Sequence, residues 1–352
     1  MKYIKIFTVI ALLTVITAAM ASAQNIEIYG NRYATEVNRL ESTLEQGEKV
    51  VIMSVSSLSG KLYIIAGDDD QAVFEYREIF KCPGESTARE YERLVKAEMR
   101  KTPVELRVYL RAPNPAPWSE TDNSATIEGE LRLPPDCQLE IEADYFDLIV
   151  EGPFTSFENQ SSLGRMAISD ITRTLILSGG ARDVNLNNIS GEISVTINNA
   201  DITAENLVTK GESARIKNKN GSISINSIEG NFAIRNSYGK IRISKASLSD
   251  GTSRIVASHC PIKVELVNSE KAGLSITNNY EDITIEIDET IPALFNLNVE
   301  AGGEMHVTDI PIKPVVVRSD HIECVVGDGV VPINIDVEEG GNIFIEGIQK
   351  DR

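Results

Sequence analysis

The chain has 352 residues, 42% of them apolar, 6% aromatic and 24% charged, proportions that fit a folded protein and exclude a disordered, collagenous or multi-span membrane chain. Acids outnumber bases 52 to 34, giving a net charge of −18 and a pI near 4.7. That sign is wrong for a protein that wraps a phosphate backbone, so nucleic acid is not an expected partner.

Lys2 and Lys5 precede an apolar run from Ile6 to Met20, and Ala21-Ser22-Ala23 then places small residues where a signal peptidase reads. Residues 1–23 are expected to be a secretory signal, because the run is shorter than the ~20 residues of a comfortable span. That segment carries two lysines and no acid, so its removal makes the mature chain more acidic still, from −18 to −20. The segment lacks the cysteine of a lipoprotein signal, and no second long apolar run precedes the terminal Gln349-Lys350-Asp351-Arg352. The expected product is exported to the periplasm, the cell surface or the medium, and does not span a membrane.

Residues 24–47 are polar and mixed, which predicts a leader outside the core. Over 48–136 the pattern predicts a strand-rich region. Val50 to Val55 and Leu62 to Ile65 alternate around a Ser-Gly turn, Asp68-Asp69-Asp70 makes a solvated turn, and Ala72 to Phe80 continues as a half-buried strand. Thr87 and Glu90 have capping-box spacing ahead of Tyr91, Leu94, Val95 and Met99, predicting one helix over 87–101 that Pro103 ends. Strands follow at Val104 to Leu110 and Ala125 to Leu133, separated by a proline-rich loop that holds Trp118, the single tryptophan.

From Cys137 to residue 348 the pattern is a series of short strands. Leu148, Phe157, Met166, Leu175, Val184, Ile193 and Ile202 are evenly spaced at a nine-residue period, most with another apolar side chain two positions on. Looser repeats follow, as in Gly221-Ser222-Ile223-Ser224-Ile225, Gly239-Lys240-Ile241-Arg242-Ile243 and Gly341-Asn342-Ile343-Phe344-Ile345. Gly60, Gly164, Gly191, Gly221, Gly239, Gly303 and Gly341 are the expected corner glycines, where left-handed backbone is tolerated. Asn185, Asn187, Asn198, Asn199, Asn218, Asn220, Asn226, Asn231 and Asn236 are expected at corners, satisfying turn backbone or stacking between coils.

A nine-residue unit leaves about five residues for a strand and four for a corner, too few for a crossover helix. The expected fold is therefore all-β: a β-solenoid with two short strands per coil of roughly 18 to 22 residues, behind an N-terminal strand-rich cap containing one helix. A β-sandwich over part of the chain has the same composition.

Ser56 to Ile64, the 87–100 helix and Leu131-Arg132-Leu133-Pro134-Pro135-Asp136, with Tyr280 to Ile287, Phe295 to Val299 and Gly303 to Val307, resemble a bacterial family labelled "putative adhesin". Glu281 stands where that family usually has glycine. The resemblance implies an exported β-helical scaffold and carries over no catalytic residue.

Parallel β-helices also host polysaccharide lyases and glycosidases, for which Asp144 with Asp147, Asp68 to Asp70, and Asp328 are candidate acids. With 52 acids such pairs arise by chance. His259, His306 and His321 have no metal-ligand spacing, and neither a Gly-x-Ser-x-Gly elbow nor a Gly-rich phosphate loop occurs. No catalytic residue, cofactor or metal is expected. Four cysteines, Cys82, Cys137, Cys260 and Cys324, allow three disulfide connectivities or buried free thiols. If a bridge forms, Cys82 with Cys137 is the first candidate. The expected function is a noncatalytic envelope or cell-surface scaffold binding a glycan or an envelope protein. The alternatives are a carbohydrate-active enzyme and a periplasmic stress or assembly accessory whose sheet edge extends a partner's sheet.

Overall fold

A computed structural model describes residues 26–29, 32–161, 163–300 and 302–348; the expected signal peptide and the four terminal residues lie outside them. The described residues form 26 strands and one helix. In the repeat region the strands pair in parallel with the strand one coil away. Leu148 pairs with Met166 and Leu175 with Ile193, two nine-residue units on, whereas from Ile202 to Ile223 and from Ile241 to Ile262 the coil is slightly longer. The nine-residue spacing is thus half a coil, and all seven anchors from Leu148 to Ile202 are buried.

Each coil contributes one strand to each of two faces. On one face Val184, Ile202, Ile223, Ile241, Ile262 and Ile283 line up inward. On the other Val195, Ile216, Ile234, Ile255, Ile276 and Ile335 do the same. All are at most 2% exposed, so each β-branched side chain sits on the one below and contributes roughly 1.5–3 kcal/mol of burial.

Both ends of the stack are built out of chain order. The coil made by Lys49–Ser54 and Ser59–Ala66 lies between that of Glu105–Arg111 and Ser124–Leu133 and that of Gln138–Glu142 and the start of Phe146–Asn159. Val331–Glu338 and Ile343–Gly347 likewise slot between Gly273–Asn279 with Ile283–Ile287 and the outer coil of Ala293–Val299 with Met305–Thr308. Antiparallel strands finish each end. Lys96–Lys101 lies on Glu105–Arg111 and Gln71–Lys81 on Ser124–Leu133, and the hairpin of Lys313–Val317 and His321–Val325 lies on Ala293–Val299.

Several expectations are corrected here. The helix is Glu85–Glu92, with extended Gly84 at its N-cap and no side-chain cap, so Thr87 lies inside its first turn rather than capping it. Residues 96–101 are a strand, because pairing with Glu105–Arg111 satisfies a sheet edge that a longer helix would leave open. The 24–47 segment is not a leader over its described part. Arg32–Thr35 and Asn38–Thr43 pair antiparallel with Gln71–Lys81, and Ala34 and Leu44 are buried. The parallel stack also starts well before residue 137, since Lys49 to Met53 pair with Gln138 to Glu142.

Candidate functional site

The coils turn at Asp170, Asn188, Asn206, Ser227 and Lys245, all with φ between 53° and 74°. Asp and Asn tolerate that backbone because their short polar side chains bond locally. Here they bond between coils: Asn188 Nδ2 donates to Asp170 Oδ1 and Asn206 Nδ2 to Asn188 Oδ1, both at 3.1 Å. A second corner carries Asn220, which donates to Asn199, and then exposed rings. Tyr238 and His259 have centroids 5.2 Å apart, and His259 and Tyr280 4.4 Å apart, with near-parallel planes. The imidazole is covered on both faces by the tyrosine rings, and the stack ties three successive coils together at the corner.

The seven expected corner glycines all lie where coils touch. A Cβ at Gly60, Gly164, Gly191, Gly221, Gly239, Gly303 or Gly341 would come within 2.4 Å of a carbonyl oxygen of a neighbouring coil. Only Gly191, Gly221 and Gly239 among them have left-handed backbone. Close approach, rather than dihedral freedom, is the property the seven share.

Asp68 to Asp70, Asp144 with Asp147, and Asp328 belong to three separate segments of the fold. Asp147 Oδ1 accepts from the Arg165 backbone N–H, and Asp68 to Asp70 are an exposed turn far along the chain from Asp328. No group of three or more His, Cys, Asp or Glu side chains among the described residues could hold a metal. His306 stacks on Phe344, and His321 Nδ1 lies 2.8 Å from Asn298 Oδ1. One pair has no signal in the sequence: Ser258 Oγ and His259 Nδ1 are 2.9 Å apart. The imidazole is clamped between two tyrosines and no carboxylate among the described residues hydrogen-bonds it, so the orienting third group of a nucleophile–base pair is missing. Trp118 is buried, donates Nε1 to the Ser57 carbonyl at 2.7 Å, and packs edge-on to Tyr91 beneath the helix.

All four cysteines are free thiols, so the Cys82–Cys137 bridge is corrected. Cys82 Sγ bonds the Gly84 carbonyl beside the helix, whereas Cys137 is buried at the start of Gln138–Glu142. Burial pushes the Cys137, Cys260 and Cys324 thiols up to about 11.

Two of the surface recesses are open and have mixed walls that include charged groups. One of about 400 Å³ on the N-terminal half holds Lys49, Glu140 and Glu158; the Lys49 ammonium is raised by its bond to Glu140 and by the nearby Glu105 and Glu158 charges. Another, about 790 Å³, lies at the far end between Met305–Thr308 and the hairpin, with Glu300, Glu304, Arg318 and Asp320 on its walls. Such recesses suit contacts with a polar ligand more than sequestration of a small apolar one.

Residues 132–298 match the model of the Toastrack DUF4097 family. This stretch, just under half of the chain, is similar to that family's domain. The resemblance read from the strand repeats is therefore the one found, and the Toastrack fold is a β-solenoid-like repeat. Solved structures similar to this chain include a "putative cell adhesion protein" from Clostridium sporogenes, 11% identical, covering 89% of this chain and 100% of that one with a TM-score of 0.21. A "putative adhesin" from Bacteroides fragilis is 10% identical, covering 89% and 97% with a TM-score of 0.29. A "Putative lipid binding protein" from Parabacteroides distasonis is 9% identical, covering 89% and 97% with a TM-score of 0.25. None of the curated proteins matches.

Proposed function

We propose that this chain is a noncatalytic, exported scaffold of the cell envelope whose stacked faces bind an extended ligand, a surface glycan or a neighbouring envelope protein. The observation that carries the proposal is the repetition of outward polar side chains at coil spacing, as in Thr203, Ser224, Arg242, Lys263 and Thr284 on successive rungs of one face. Rungs lie ~4.8 Å apart, so equivalent weak contacts recur along a straight line and sum by multivalency. A scaffold of this kind needs no convergent catalytic group.

The test uses residues 24–352, secreted from a native host and offered a panel of envelope glycans and detergent-solubilised envelope proteins. Saturable binding is expected, with the native protein recovered in the envelope or medium fraction. Absence of any saturable binder overturns the proposal, as does release of reducing ends or unsaturated sugars from any polysaccharide in the panel.

A further inference from the structure

One face of the stack carries a charge pattern opposite to that of the whole chain. In mid-stack its two central outward rows, read across five coils, are Ser194, Arg215, Ala233, Arg254, Ser275 and Thr196, Lys217, Arg235, Val256, Thr277. These ten positions hold four cations and no acid, although acids outnumber bases 52 to 34 overall. Arg215, Lys217, Arg235 and Arg254 are exposed, and none forms an ion pair among the described residues. The opposite face differs: there Lys263 Nζ bonds Glu286 Oε1 at 2.6 Å, Glu265 is the register partner of Glu286, and Glu205 stands on a strand of the same face.

The cluster is compact and aligned with the rod. Lys217 and Arg235 are register partners on adjacent rungs, ~4.8 Å apart, and Arg215 and Arg254 stand two rungs apart at about twice that distance. Unpaired like charges this close repel one another, a penalty that an external anion relieves. Arg215 also lines a recess of about 420 Å³ formed with Ser213, Asn231, Ser249 and Asp250 at the strand starts. Four cations beside a recess whose hydroxyl and amide groups outnumber its one carboxylate, Asp250, form a surface for a ligand that is anionic and polyhydroxylated together.

Resting on the scaffold function proposed above, we infer that this face binds an acidic polysaccharide, its carboxylates engaged by Arg215, Lys217, Arg235 and Arg254 and its hydroxyls by the adjoining recess. Three of the four are arginines, whose planar forks pair with carboxylates through two parallel hydrogen bonds. An anionic membrane fits less well, since the ten positions present no large exposed apolar side chain to insert. A nucleic acid fits less well too, because no aromatic stands among the cations and the rest of the molecule repels phosphate.

The experiment measures binding of residues 24–352 to polygalacturonate at several salt concentrations, with dextran as neutral control and vesicles of phosphatidylglycerol with phosphatidylcholine as the lipid arm. Polygalacturonate is expected to bind in a salt-sensitive manner. Each of R215Q, K217Q, R235Q and R254Q should weaken it about 2- to 5-fold, and the quadruple variant at least about 20-fold, with unchanged melting temperature. K81Q with R93Q, a charge change at exposed positions of the N-terminal cap outside both outward rows, should leave binding unaltered. Equal loss in that control, stronger binding to the vesicles, or undiminished polygalacturonate binding by the quadruple variant overturns the inference. If the quadruple variant keeps a saturable neutral glycan or envelope protein, the scaffold function stands without this site; if the native chain binds nothing, both fail.

Discussion

The buried amide of Asn218 reaches back one coil and donates from Nδ2 to the Ala200 carbonyl at 2.8 Å. Its Oδ1 accepts from the Lys219 backbone N–H, so one side chain satisfies two backbone groups that the corner takes out of the ladder. Asn236 repeats this with Gly221 and Ser237, and Asn278 ties the Cys260 and Glu281 carbonyls together. Asn218→Ala leaves a buried acceptor and donor unpaired, and is expected to lower unfolding free energy by about 1–3 kcal/mol. Urea titration followed by circular dichroism reads this directly; a change below a few tenths of a kcal/mol would show that water replaces the amide.

Gly191 has φ of 98°, and a Cβ there would stand 2.1 Å from the Arg173 carbonyl oxygen. Gly47 also has positive φ, 80°, but with nothing within 4 Å. Gly191→Ala should therefore cost about 3 kcal/mol or more, combining backbone strain with a forced separation of two coils. Gly47→Ala should cost only about 1–2 kcal/mol, the dihedral penalty alone. Equal losses in thermal unfolding would refute the close-approach account.

Glu78 lies on the inner face of Gln71–Lys81, and one of its carboxylate oxygens has no hydrogen-bond partner among the described residues. Burial, reinforced by Glu92 and opposed by Lys96, raises its pKa to about 8. An unfolded glutamate ionises near the ordinary value of 4.5, so between 4.5 and about 8 the native state holds the extra proton. Its contribution to stability is full below 4.5, declines as pH rises through that window and levels off above it. Glu78→Gln should gain on the order of 3 kcal/mol over the native chain at about pH 8.5 and almost nothing at about pH 4. A gain that does not vary with pH would assign the effect to packing instead.

Free thiols make a counting prediction. Denatured without reductant, the protein should react with four equivalents of a thiol reagent. In the native state Cys82, the half-buried one, should react first, because the other three are buried with thiol pKa values near 11. A count of two would restore a bridge.

The middle of the fold is legible in the sequence because its rule is local. Leu175, Val184 and Ile193 repeat at half a coil, since each must point inward where its strand stacks on the next. The ends are not legible. Ile283 pairs with Ile343 across the whole of the outer coil and its hairpin, and no local pattern marks a coil inserted out of order. A helix over 87–101 overreaches because Val95 and Met99 fit a helical stripe, while the strand pairing of Met99 depends on an edge supplied by Glu105–Arg111. The cationic face is hidden for a related reason. Arg215 and Arg254 meet only through Ala233, by two coil steps of unequal length that no fixed period predicts.

The placement of Val331–Glu338 and Ile343–Gly347 inside the stack changes how this protein can be taken apart. A solenoid built in chain order peels from its tip, one repeat at a time, each loss leaving a shorter but intact rod. Here, deleting residues 331–348 removes a keystone. Ala293–Val299 and Met305–Thr308 would lose the strands they rest on while still covalently attached, with their inner apolar side chains uncovered. Proteolysis or pulling from the C-terminus should therefore meet one large cooperative barrier at the start, in place of a staircase of small ones.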